Sequence, residues 1–437
     1  MGLLDFFAHG TFQHGIHPAY QKGETSCLPI RRLPFPGRLV LPLDQHIGKP
    51  ATALVKKGQE IVRGEPIAAA DGFMSVPIHA PATGRVRAIE LMDTSRGPKA
   101  LSIVIDVYES ASQEVLWTTP RDMDALSPGQ IIEAIQQTGM VGMGGAAFPS
   151  HVKLTIPEDQ NVDTLVVNGC ECEPYLSCDH RVMLEYTEDL IRGVQYAMRA
   201  TQTEVAVIGI EDNKMDAVEA IRKLLPADGN ILVKAVRTKY PQGSEKMLIK
   251  ATLGREVPAG GLPSHIGVVV NNVGTLAALG RLLPAGEGMT ERVVTIAGPG
   301  VEQPGNYLVP IGTTLGFVLD QVGYQGTQHE FILGGPMMGT SVSSLDTPIT
   351  KGTSGILLLN EPDIENETRR IWPCIKCARC VDACPMHLNP SMLGQLAAKR
   401  EYETMADEYH LNDCFECGCC SYVCPSSIPL VQYFRIA

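Results

Sequence analysis

The chain has 437 residues, with 36 Lys and Arg against 48 Asp and Glu, a formal net charge of −12 and a pI near 5.4. That balance excludes the basic footprint of a nucleic-acid binder, and at ~150 residues per domain the length predicts about three independently cored units. The most apolar run, 266–279, is broken by Asn271, Asn272 and two glycines and falls short of the ~20 residues that span a bilayer, so any membrane contact is expected to be peripheral or through a partner.

Met1-Gly-Leu-Leu-Asp-Phe-Phe lacks a charged n-region and a long apolar stretch, so no signal peptide is expected. His9, His14 and His17 read as incidental histidines of an ordered loop or strand rather than metal ligands. From about 35 to 108, short β-prone stretches (38–42, 53–58, 60–64, 84–89, 101–108) are punctuated by Gly and Pro, a rhythm that predicts a small barrel or sandwich. Val55-Lys-Lys-Gly-Gln-Glu-Ile-Val-Arg-Gly-Glu-Pro-Ile and Ile78-His-Ala-Pro-Ala-Thr-Gly-Arg-Val resemble a biotinyl- or lipoyl-type barrel-sandwich hybrid. The tip reads Asp71-Gly-Phe-Met-Ser and has no carrier lysine. A docking or structural module is therefore expected over 1–115, not a swinging arm.

The pattern then alternates helix and strand, which predicts an α/β domain over 116–288. Pro128 to Gly139 has helical periodicity, the stretches 163–168, 204–210 and 231–236 read as buried strands, and Asp212 to Leu225 reads as an amphipathic helix. Over 289–358 short strands return at 292–298, 307–312 and 331–336, with one helix at Thr314 to Val322, which suits a β-grasp unit. A polar linker, Asn360 to Arg370, leads into a last domain at 359–437. The expected class is multidomain, α/β and α+β.

That last domain carries the sharpest signal. Cys374-x2-Cys377-x2-Cys380-x3-Cys384-Pro385 is repeated as Cys414-x2-Cys417-x2-Cys420-x3-Cys424-Pro425. This is the two-cluster ferredoxin spacing, in which the fourth cysteine of each run ligates the other cluster. The expected sets are Cys374, Cys377, Cys380 with Cys424, and Cys414, Cys417, Cys420 with Cys384, each holding a [4Fe–4S] cluster. Zinc knuckles or a disulfide framework are the alternatives, but zinc sites pair two C-x2-C units across a longer gap. Of thirteen cysteines, Cys27, Cys170, Cys172, Cys178 and Cys419 remain. This odd remainder does not suggest stapling, and the clusters imply a reducing compartment. Cys170, Cys172 and Cys178 leave a third metal site as a minor alternative.

In the α/β domain, Gly139-Met-Val-Gly142-Met-Gly144-Gly145-Ala-Ala-Phe148-Pro149 follows a helix and precedes a strand. A standard dinucleotide fingerprint needs the reverse order. Its glycines still let the backbone approach a flat ring or phosphate, and Lys153 adds a charge. Downstream come Asn168-Gly-Cys170-Glu171-Cys172-Glu173-Pro, Tyr240-Pro-Gln-Gly243-Ser244-Glu245 and Asn271-Asn272-Val-Gly-Thr275. In this order the segments resemble the flavin- and NADH-binding subunit of respiratory complex I, whose stretches run G-R-G-G-A-G-F-P, N-A-D-E-S-E-P-G, Y-x-x-G-E-E and N-N-V-E-T. With the barrel before and the β-grasp (soluble-ligand-binding type) and ferredoxin units after, the whole chain resembles the C-subunit family of Rnf (Rsx) ion-translocating electron transport complexes.

The resemblance implies a non-covalent FMN cradled by Gly142, Gly144, Gly145, Lys153, Asn168, Tyr240, Gly243, Asn271, Asn272 and Thr275. It places Phe148, Glu173 and Glu245 toward NADH. Met143, Cys170 and Ser244 depart from the complex I pattern, so those three contacts do not carry over. The implied activity is that of a component of an NADH:ferredoxin oxidoreductase. NADH gives up electrons as a pair and the clusters accept them singly, and a flavin converts between the two. No side-chain acid or base is required. Implied partners are integral membrane subunits and an iron–sulfur subunit, with ferredoxin served indirectly. The implied location is the cytoplasmic side of a bacterial inner membrane. A soluble cobalamin reductase of a bacterial microcompartment is the rival, disfavoured because its barrel lies at the other end. A scaffold with structural clusters is disfavoured by eight intact ligands and a full flavin motif set.

Overall fold

The computed structural model describes residues 10–157, 159–324, 329–360 and 370–437. His9 and the linker stretch 361–369 lie outside the described residues. Residues 38–107 form two facing β-layers. In one, Arg38–Pro42, Ala100–Val107, Gly84–Met92 and Glu60–Ile61 pair antiparallel in that order; in the other, Thr52–Ala53, Pro66–Ala69 and Ile78–His79 do so. Alternation along the strands turns Leu39, Leu41, Ile103 and Ile105 inward, where they meet Ile67 and Ile78. The strands expected at 53–58 and 60–64 shrink to two-residue pairs. The physical reason is Lys56-Lys57-Gly58, which closes a turn with Gly58 at φ +86° and Gln59 N–H donating to the Lys56 carbonyl.

The segment before the barrel meets it at Phe35, which lies against the Arg63 guanidinium, but also reaches well beyond it. Gly10 bridges to Val236 and Ile16 to Tyr240, and Arg31–Arg32 adds a parallel strand beside Tyr307–Leu308 of the third domain. The boundary expected at 115 thus encloses a strap that belongs spatially to later domains.

The α/β domain is a four-stranded parallel sheet in the order Ile231–Val236, Val205–Glu211, Thr164–Gly169, Val268–Asn272. The chain winds outward from Thr164–Gly169 in one direction, then returns to lay Val268–Asn272 on its other side. That reversal opens a crevice beyond the carboxyl ends of these two strands, the expected ligand position of an open α/β sheet. Ahead of the sheet, Pro128–Gln137 begins with a capping box between Ser127 and Gln130, and Gly139 at φ +70° ends it. Helices Thr187–Thr201 and Val273–Ala285 touch backbone to backbone. A Cβ on Gly193 would lie 1.8 Å from the Leu276 carbonyl oxygen.

The third domain is a six-stranded mixed sheet crossed by helix Leu315–Val322, with Val294, Ile296, Val309, Val318 and Ile356 in its core. Its inner strand Gly355–Asn360 runs past the boundary expected at 358, pairing parallel with Glu291–Ala297 and antiparallel with His329–Leu333. The C-terminal domain packs short helices around Leu393, Met405, Leu430 and Phe434. Its two cysteine loops share one backbone rhythm. Lys376 and Ala378 in the first, and Glu416 and Gly418 in the second, are left-handed, while Lys376 and Glu416 N–H each face the preceding Cys Sγ at 3.4 Å.

Candidate functional site

A cavity of about 1050 Å³ opens at the sheet's carboxyl edge, at the upper limit of pockets that hold one ligand. Its floor is the loop Gly142–Phe148, and Asn168, Asn271 and Asn272 reach it from the two switch-point strands. Three domains fix that loop. Met143 N–H donates to Thr275 Oγ1 at 2.9 Å, and Arg292 of the third domain donates to the Met143 carbonyl at 3.5 Å. Ile47 N–H of the barrel donates to the Ala147 carbonyl at 3.2 Å. Lys351, fully buried, donates to the carbonyls of Pro77 and Gly139 at 2.7 and 2.6 Å.

The surroundings suit a flat, polar-edged group such as FMN. A Cβ on Gly145 meets no protein atom within 4 Å, and its φ of +109° is one that favours glycine. The loop therefore presents bare backbone to the cavity. Asn271, 3 % exposed, has no hydrogen-bond partner for Nδ2; such a buried donor calls for an acceptor. Asn168 is committed locally, donating to the Gly243 carbonyl at 2.7 Å and accepting from Cys170 N–H. Asn272 caps helix Val273–Ala285 and donates to Asp179 at 2.6 Å. Lys153 pairs with Glu245 across the cavity wall.

Every flavin and NADH candidate named from sequence lines this cavity except Thr275. Thr275 is fully buried behind the loop, its hydroxyl engaged by Met143 N–H. It lies outside the cavity lining and supports the loop from behind. Glu173 spans two domains, accepting from Met337 N–H at 3.0 Å while Oε1 has no partner. Burial pushes its carboxyl up to about 7 against the opposing pull of the Met337 and Met338 amides. Asp179 is likewise raised, by burial first and then by the nearby Glu171 carboxylate.

At the far end the cavity is lined by Asn412, Asp413, Cys414 and Phe415. Tyr240 joins the two regions: it lines the cavity, is 1 % exposed, and donates its hydroxyl to the Cys417 carbonyl at 2.6 Å. Behind it, Cys172, Cys417, Cys419, Ile16 and Ala383 form one apolar contact. The cysteines group in the crossed manner. Cys374, Cys377, Cys380 and Cys424 line a cavity of about 220 Å³. The sulfurs whose charges act on Cys414 and Cys420 include Cys417 and Cys384, with burial, the leading cause, raising Cys414 to about 11. Cys374 and Cys377 are exposed, whereas Cys384 and Cys420 are buried.

The cysteines of the third-metal alternative turn to separate partners. Cys170 Sγ turns to the Gly209 carbonyl, Cys172 accepts from Gly243 N–H and Cys178 donates to Glu171. Among the described residues no three His, Cys, Asp or Glu side chains converge on a point that suits a single metal ion. His14 bonds to the Asp382 carbonyl and meets the His387 ring edge-on at 4.5 Å, the ordered-loop role expected. Sequence reasoning missed two walls. One is the third domain's 333–340 and 350–354 loops; the other is the barrel's Asp44, Gln45, Thr94, Ser95 and Arg96. No motif marks them.

Family models match in chain order: an RnfC barrel-sandwich hybrid domain over 10–109, a Nuo51 FMN-binding domain over 135–281, an SLBB domain over 293–341 and a 4Fe-4S dicluster domain over 373–428. The chain is 44 % identical over 426 residues to the C subunit of a proton-translocating ferredoxin:NAD(+) oxidoreductase complex of Clostridium ljungdahlii, covering 97 % of this chain and 93 % of that one. It is 40 % identical to a Na(+)-translocating counterpart of Acetobacterium woodii, covering 90 % and 89 %. The C subunit of an ion-translocating oxidoreductase complex of Haemophilus influenzae is 38 % identical, and there the match spans 65 % of the relative. An NAD+-reducing [NiFe]-hydrogenase crystal structure, in the H2-reduced state, aligns over 71 % of this chain and 62 % of its own at 22 % identity, with a TM-score of 0.51. That likeness speaks for the fold alone.

Proposed function

Since the chain belongs to the C-subunit family of Rnf-type ion-translocating ferredoxin:NAD(+) oxidoreductase complexes, we propose that it exchanges electrons with NAD(H) in the main cavity and passes them singly through its two cysteine sets, the Cys414 set first. FMN supplies the conversion between a hydride and single electrons. The chain's own residues do the rest. Gly142, Gly144 and Gly145 offer close backbone approach, Asn271 offers a free amide, and Lys153, Asn168, Tyr240, Gly243 and Asn272 bound the site. Phe148, Glu173 and Glu245 face the space left for the nicotinamide nucleotide. Cys414, Cys417, Cys420 and Cys384 hold the cluster beside the cavity, and Cys374, Cys377, Cys380 and Cys424 hold the one at the surface.

The observation that carries this order is Tyr240, whose ring bounds the cavity and whose hydroxyl holds the Cys417 carbonyl. Cys414 of the same set lines that cavity, whereas the Cys374 set lines a separate one. In the complex, membrane subunits and an iron–sulfur subunit are the partners that receive these electrons. The chain would sit peripherally on the cytoplasmic side of the bacterial inner membrane, consistent with no described helix being long and apolar enough to cross one. Freeze-quench EPR after anaerobic NADH addition tests the order. Cys377→Ala should leave the Cys414-set cluster reducible by NADH, and Cys417→Ala should leave the other cluster oxidised. The reverse pattern overturns the order.

A further inference from the structure

The barrel-sandwich hybrid has no carrier lysine, yet it is bolted to the flavin loop and walls the cavity. Val76 packs with Val141 and Ala147 in one small apolar cluster. His151 Nε2 meets the Phe73 carbonyl at 2.7 Å, so the tip that would swing in a carrier domain is held against the α/β domain. What this fixed wall shows to the cavity is polar. Gln45, 3 % exposed, receives Lys351 N–H on Oε1 at 3.2 Å, but its Nε2 has no partner. Arg96 stands nearby on the hairpin between Gly84–Met92 and Ala100–Val107, about half exposed and held by Asp44 at 3.1 Å. The hairpin is knit in place. Thr94 Oγ1 donates to the Pro98 carbonyl at 2.8 Å and accepts from Arg96 N–H, and Ser344 of the third domain donates to Asp93 at 2.7 Å.

Each cation of the lining has a carboxylate partner, and position separates them: Lys153 pairs with Glu245 at the glycine loop and Lys246 with Asp413 at the cluster end, whereas Arg96 with Asp44 stands on the barrel wall. The carboxylates Glu171, Glu173 and Asp179 line the wall on the α/β side. A dinucleotide carries two phosphates through this space and needs a cation and neutral donors away from the flavin. We infer that Gln45 and Arg96 of the barrel form the phosphate–ribose half of the NAD(H) site, so that two domains bind one nucleotide. An arginine fork suits a diphosphate, and the unpaired Gln45 amide suits a ribose or phosphate oxygen. This rests on the proposed NADH reading, and the test separates the two.

In the FMN- and cluster-loaded chain, Arg96→Ala should raise KM for NADH by about tenfold and weaken inhibition by ADP-ribose by a similar factor. The loss for NADH should exceed that for dihydronicotinamide riboside, which has no phosphate, by at least about fivefold. Arg96→Lys should recover part of the loss, and Gln45→Ala should move KM in the same direction. FMN and iron content report whether each variant is folded. Unchanged NADH KM and ADP-ribose inhibition in a fully loaded Arg96→Ala variant overturn the inference, as does the same effect appearing only in Lys246→Ala. A loss confined to NADPH also overturns it, by assigning Arg96 to a 2′-phosphate. If the wild-type holoprotein does not oxidise NADH at all, it is the proposed function that fails.

Discussion

Replacing Gly145 by alanine isolates what the glycine loop contributes, because its added Cβ meets no protein atom within 4 Å. Only two effects remain. The first is backbone strain at φ +109°, which for a non-glycine residue costs about 1–3 kcal/mol. The second is the methyl's volume inside the cavity, directly over the loop that would support the flavin. Overpacking a fitted contact costs about 1–3 kcal/mol, or roughly fivefold to 150-fold in affinity at 1.4 kcal/mol per decade. Gly72 separates the two. It lies on the barrel tip at φ +90°, where an added Cβ likewise meets nothing within 4 Å, and is not part of the cavity lining. Both alanine variants should melt a few degrees lower under anaerobic conditions, at ~2–4 °C per kcal/mol or less for a chain of this size. Only Gly145→Ala should lose FMN, measured in the supernatant after acid precipitation and by flavin fluorescence titration of the stripped protein. A Gly145→Ala variant with wild-type FMN affinity would refute the loop as the flavin support, whatever its melting temperature.

Two further outcomes follow from other parts of the molecule. Cys384→Ala should remove the cluster held with Cys414, Cys417 and Cys420 and spare the other, about half the iron, whereas Cys419→Ala should keep both; EPR and iron analysis decide, and loss of the Cys374-set cluster in Cys384→Ala would sink the crossed arrangement. Burial lowers the Lys351 ammonium pKa from 10.5 to about 7. Between those limits the unfolded chain binds the proton more tightly, so the destabilisation is complete below pH 7 and fades as pH rises toward 10.5. Wild type should therefore gain stability relative to Lys351→Met by up to about 1.4 kcal/mol per pH unit in that window; a pH-independent gap in melting temperature contradicts this.

What the sequence disclosed was whatever depends on local spacing. The two cysteine runs, the stop at Gly139, and the asparagine pairs at strand ends each need only neighbours to be recognised. Contacts made across the chain were illegible. Arg31–Arg32 joins the third domain's sheet through a two-residue parallel pair with Tyr307–Leu308, too short to leave a period. Thr275 sits in the asparagine motif, yet its hydroxyl serves Met143, 132 positions earlier. Gln45 and Arg96 are residue types common on any surface, and only the docking of the barrel onto the glycine loop turns them toward the cavity. Strand Gly355–Asn360 was hidden for another reason: its partners lie on both sides and in both directions, so an apolar run replaces the alternation that marks a one-faced strand.

The same docking resolves why a lipoyl-like module without its lysine is attached here. A carrier domain must move, and this one is pinned by an apolar contact, a backbone hydrogen bond at Ala147 and the buried Lys351 ammonium shared by three domains. On the proposed reading, hydride chemistry needs a wall that excludes water and holds a nucleotide still, and a rigid β-sandwich would provide it. Electron exit places the opposite demand on the other end of the molecule, where a cluster must come near a surface that a partner can reach. The cysteines divide in this sense. Cys384 and Cys420 are buried, and Cys374 and Cys377 are exposed beside Trp372 and Ile375. On the proposed electron order, a closed inlet and an open outlet would be built from one repeated motif, and the difference would lie in which copy Tyr240 holds against the α/β domain.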